Sequence, residues 1–203
     1  SLMHRLFFLF NRSGAARDVE EKNKYDAIFS HPLLRDEENA ITISSKKCFN
    51  YAYSIYHAYA KGSDSYVYEK RLLALIESAP YQIEEDPFTY VAVLNNLAIS
   101  CRQRKKYDEA RMAIEKMRTF HQHYKIKISP ELQARIFIRS YLSELNMLGD
   151  LGPFEQIYSV IDDIELGLKK HANKLEPIKE LMLIYNIAYL FFCAGNYKKS
   201  IQW

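Results

Sequence analysis

The chain has 203 residues, 48% hydrophobic and 26% charged, a globular balance that excludes disorder over most of its length. Six glycines and six prolines stand against 16 tyrosines and 11 phenylalanines, which favours helices packing large side chains over loop-rich β architecture. The net charge of +3 is small and its charges are interspersed, so no nucleic-acid footprint stands out. Cys48, Cys101 and Cys193 lie far apart without CxxC spacing, which argues against a zinc site or a disulfide framework and points to a reducing cytoplasm.

In chain order, the first apolar run is Leu6–Phe10, five residues long, too short for a signal core or a membrane span. It is expected to form the buried face of a first helix. Ser1-Leu2 ahead of Met3 reads as a cloning remnant, and the chain as an excised fragment of a longer protein. A first helical hairpin is expected over residues 1–30, turning at Gly14. The polar segment 31–47 leads to a second hairpin over 45–79, turning at Gly62. The third, over 87–124, contains VAVLNNLAISCRQRKKYDEARMAIEKMR, an amphipathic stretch, a basic turn and a second amphipathic stretch. The fourth, over 130–173, is expected to turn at Gly149-Asp150, with its second helix opening at Pro153. The fifth, over 177–203, turns at Gly195 and is truncated.

These turns, at 14, 62, 105, 149 and 195, are spaced by 48, 43, 44 and 46 residues. Asn96/Asn186, Leu97/Ile187, Ala98/Ala188 and Tyr107/Tyr197 are each separated by 90, about twice that unit. A fixed period of this size is the signature of stacked helical units. Local chemistry agrees: Gly14, Gly62, Gly149 and Gly195 sit where a left-handed helix end is expected. Pro87, Pro130, Pro153 and Pro177 each open an apolar helical run, with Asp86 and Ser129 as N-caps.

The LNNLA wording of residues 94–98, Tyr107, and Ala110 three residues later resemble the tetratricopeptide repeat, in the longer-period form seen in kinesin light chains. The resemblance is carried by residues 91–118 and 181–200. It implies an all-α fold, an α-α superhelix of about five antiparallel hairpins, as one continuous array. It also implies a concave surface, lined by first helices, that binds another protein or a peptide. Carried onto this sequence, groove residues are Tyr53, Tyr56 and Tyr59 of the second hairpin, and Asn95, Asn96, Ile99, Arg102 and Gln103 of the third. Arg139, Ser143 and Asn146 of the fourth and Tyr185, Asn186 and Tyr189 of the fifth complete the set. Asn96 and Asn186 are the leading candidates, since each amide can both donate to and accept from a partner backbone. Two readings stay open: the asparagines bridge neighbouring helices, and the tyrosines, spaced by three, form core. Chaperone-tail clamps of this family carry cations where this chain has Ala92 and Met182, which argues against that subtype.

No catalytic constellation accompanies this pattern, so an enzyme, a catalytic metal and a cofactor are not expected. His121 and His123 fall on different faces of one helix and read as exposed end residues; Glu84–Asp86 and Asp162-Asp163 read as solvated helix ends. Arg102 to Lys106 read as a basic turn, and Cys101 as a buried thiol in a packing position. The alternative function is a peptide-sensing regulatory domain whose output domain lies outside this chain. A homo-oligomer through the C-terminal hairpin is also compatible with the sequence.

Overall fold

The computed structural model describes Asn23 and residues 26–57 and 65–203. The expected turns at Gly14 and Gly62, Tyr59 and most of the first hairpin lie outside them. Among the described residues the protein is helical, with no strand. The chain divides into two compact units, Ser1–Ile83 and Glu84–Trp203.

In the first unit a short α1 (Pro32–Arg35) precedes α2 (Ile43–Ile55) and α3 (Tyr66–Glu77), which pack against each other. Helix α2 starts where Thr42 and Ser45 form a reciprocal capping box. Phe29, Leu34, Ala52 and Tyr56 form a small core, with Tyr53 packed beside it. The rings continue outward as a ladder: Phe49 stacks on Tyr53 at 4.4 Å, Tyr53 on Tyr68 at 5.2 Å, and Tyr68 on His57 at 4.9 Å. A short α4 (Tyr81–Glu85) follows at the unit boundary.

The second unit is built from α5 (Pro87–Gln103), α6 (Tyr107–His123), α7 (Pro130–Leu151), α8 (Ile157–His171), α9 (Pro177–Cys193) and α10 (Tyr197–Gln202). Pairs α5/α6, α7/α8 and α9/α10 pack as three helical hairpins. Helix α7 lies against α5 and α6 on one side and against α8 and α9 on the other. Asp86 accepts from Thr89 N–H at 3.0 Å and Ser129 from Leu132 N–H at 3.2 Å, so the expected N-caps are in place. Proline opens α5, α7 and α9, where its missing N–H has no intrahelical acceptor to lose.

The turns of the first and last of these hairpins are built alike. Lys106 N–H donates to Cys101 at 2.8 Å, and Asn196 N–H, 90 residues on, donates to Phe191 at 2.9 Å. Lys105 (φ 59) and Gly195 (φ 76) take the left-handed position these closures require. Glycine does so without strain, whereas lysine holds it against a Cβ penalty.

The middle hairpin departs from expectation. Gly149 lies within α7, which runs on to Leu151, and Gly152 (φ 88) provides the left-handed cap instead. The reason lies in the next residue, because Pro153 disfavours helical backbone at the position before it. Pro153 then leads into a 3-10 turn, Phe154–Gln156, and α8 begins only at Ile157. Leu142, Leu145 and Leu148 of α7, Ile157, Ile161 and Ile164 of α8, and Leu183, Ile187, Leu190 and Phe191 of α9 share one core. Trp203 packs against it. Cys101 is fully buried, in the packing position expected of it.

Candidate functional site: one face across three packed helices

Helices α5, α7 and α9 lie side by side, and each leaves a strip uncovered at helical spacing. On α5 the strip is Asn95, Ile99 and Arg102, with Asn96 and Gln103 beside it. On α7 it is Arg139, Asn146 and Asp150, and on α9 it is Met182, Tyr185, Tyr189 and Phe192, with Asn186 at its edge. Two polar contacts tie the strips together. Arg102 pairs with Asp150 at 2.9 Å between α5 and α7. Asn186 donates to Asn146 at 3.5 Å between α9 and α7, longer than a well-formed N–H···O bond. Asn146 also donates to the Leu142 carbonyl one turn back at 2.7 Å.

Asn95 reaches its neighbour Asn96 at 3.4 Å, again a long contact. The leading pair of asparagines is therefore half-buried and weakly engaged inside the protein. Tyr185 and Tyr189 lie on α9 with near-parallel rings 6.5 Å apart. Hydrogen bonding to Cys193, then the charge which that side chain carries as a thiolate, pushes the Tyr189 phenol above its usual range.

The most uncovered strip is apolar. Tyr185 is 68% exposed, Leu181 61% and Phe192 58%, although a single protein surface rarely gathers large apolar side chains on one helix. Leu181, Met182 and Phe192 were not among the residues expected from sequence. Their signal was available, since Met182, Tyr185, Tyr189 and Phe192 share the spacing that places Asn95, Ile99 and Arg102 on α5.

Three expected residues fall elsewhere. Tyr56 belongs to the first unit and is 7% exposed, with its hydroxyl on Asp26, so it is core rather than contact surface. Tyr53 in the same unit is half-buried in the ring ladder, its hydroxyl on the Leu34 carbonyl; burial pushes its phenol up. Ser143 is buried in α7, between Arg139 and Asn146 on the helix but beneath its neighbours. His121, expected to be exposed, is half-buried, and its Nδ1 is enclosed without a partner; His123 is exposed.

Among the described residues no group of three or more His, Cys, Asp or Glu is placed to hold a metal ion. No helix among them is long and apolar enough to cross a membrane. Comparison with protein-family models, with curated proteins and with solved structures found no match.

Proposed function

We propose that this chain is a protein- or peptide-binding scaffold whose contact surface is the face formed by α5, α7 and α9, the concave face of a tetratricopeptide-like superhelix. The observation that carries the reading is the apolar strip of α9, bordered by Arg139 and Asn146 of α7 and, beyond them, Asn95 and Arg102 of α5. Tyrosine, methionine, arginine and phenylalanine are side chains that interfaces enrich, because they offer large contact area, to which tyrosine and arginine add a directional polar tip. The asparagines beside them have the donor and acceptor pair needed to hold a partner backbone. Second helices α6 and α8 turn outward a mixed surface in which charges such as Glu115 and Asp162 separate the exposed Met112, Tyr158 and Leu166, and so lack the continuous apolar strip of α9.

The test separates binding from folding. Asn96→Ala and Asn186→Ala should each weaken affinity for a partner purified on the wild-type chain by about fivefold, the equivalent of about 1 kcal/mol for a lost hydrogen-bonding group. Thermal unfolding should barely change, since neither amide makes a short internal bond. If Asn186→Ala lowers the melting temperature while the folded fraction binds normally, the residue is a bridge between α7 and α9, and the binding role assigned to it is wrong.

A further inference from the structure

A second feature lies away from this face, in the cleft of about 360 Å³ where α6, α7 and α8 meet. Its polar lining is rich in donors: Arg118 and His121 from α6, Lys170 and His171 from α8. Ile128, Ile136 and Phe137 supply an apolar wall. Arg118 is held rigidly, with one terminal nitrogen 2.5 Å from Glu144 and its guanidinium 4.3 Å over the Tyr141 ring. Its Nε and the His121 Nδ1 are nevertheless buried without a hydrogen-bond partner. Native proteins seldom leave such groups unmet, because an enclosed polar group has lost its water and gained nothing in return.

The charges set the kind of ligand. Glu144 offsets Arg118, and burial, followed by the charges of Lys170 and Lys174, pushes the His171 imidazole below its usual range. Asp163, which acts on Tyr141, is exposed to solvent, as is Lys170. The local excess is thus small and positive, matched to one negative charge rather than two. We propose that this cleft binds a carboxylate bearing an apolar group, with its oxygens taken by the buried nitrogens of Arg118 and His121 and its apolar part against Ile136 and Phe137. A free small organic acid and the C-terminal carboxylate of a peptide share this chemistry. The cleft is lined by α6, α7 and α8, so the proposal stands independently of the face on α5, α7 and α9.

The experiment is calorimetric titration of the full chain with hexanoate, hexanol, inorganic phosphate, and a short leucine-terminated peptide in carboxylate and amide forms. The histidine ring NMR signals are followed in parallel. Hexanoate or the free-carboxylate peptide should bind saturably and shift the signals of His121 and His171, leaving exposed His123 in place. The tighter of the two identifies the source as a small acid or a chain terminus. His121→Gln should weaken the tighter ligand about tenfold, the effect of one hydrogen bond to a charged group. Lys170→Glu, at an exposed position that cannot disturb the core, should weaken it as well. Hexanol or the amide binding equally well, phosphate binding more tightly, neither carboxylate binding, or no effect of both substitutions would overturn the proposal.

Discussion

Phe120→Ala should remove about 3–5 kcal/mol from the stability of the unit Glu84–Trp203, the range for a large buried aromatic truncated inside a packed core. Phe120 is 1% exposed on α6 and meets the fully buried Tyr90 of α5 edge-on, with ring centroids 5.3 Å apart. That contact lies where α5 closes onto α6, so its loss opens a cavity inside the hairpin and cannot be relieved by a surface shift. Trp203 is the chain's one tryptophan and packs on the core of the same unit, so its fluorescence during urea unfolding reports this unit. Phe120→Leu should cost much less, and Glu115→Ala, on the exposed side of α6, less than about 0.5 kcal/mol. A loss below about 1 kcal/mol for Phe120→Ala would mean that the α5/α6 interface is not packed as described.

Gly167→Ala should also destabilise, against the usual direction. In an ordinary helix interior the change gains up to about 1 kcal/mol, because alanine is the better helix former. Gly167 is buried in the middle of α8, and a Cβ placed there would stand 2.0 Å from Cε2 of Phe137 and 2.5 Å from Cδ2 and Cζ. The Phe137 ring, with Tyr141 at 5.3 Å and His171 at 5.4 Å beside it, can give way only towards the cleft that it walls. Overpacking of this kind costs about 1–3 kcal/mol, enough to reverse the sign. The double substitution Gly167→Ala with Phe137→Leu should be less destabilised than the sum of its parts, since the smaller side chain vacates the space the new methyl needs. Additive effects, or a stabilised Gly167→Ala, would contradict the close approach of α8 to α7.

Much of the helical framework was legible because it rests on local chemistry. Asp86-Pro87 and Ser129-Pro130 announce helix starts through a cap and a fixed φ, both of which the chain carries with it wherever it folds. Two turns 90 residues apart were legible for a similar reason: those after Cys101 and Phe191 are closed by the same short-range hydrogen bonds. The end of α7 was misjudged where two glycines compete within four residues, and the proline after Gly152 decides between them. Orientation was harder to read. Tyr53 and Tyr56 have the spacing of one helix face, but only the neighbours Phe29, Leu34 and Tyr68 make that face interior rather than exterior. The cleft was not legible at all, since Arg118, His121, Lys170 and His171 are brought together by packing between hairpins and share no sequence pattern.

Partners should meet the face of α5, α7 and α9, and site-specific photo-crosslinking in cells reads out that contact. Benzoylphenylalanine placed in turn at Asn95, Tyr185 and Tyr189 on that face, and at Glu115 and Asp162 on α6 and α8, samples both sides of the unit with exposed or half-exposed positions. The same discrete adduct should form from the first three positions and none from the last two. Adducts of equal yield from Glu115 and Asp162, or none from Asn95, Tyr185 and Tyr189, would contradict it.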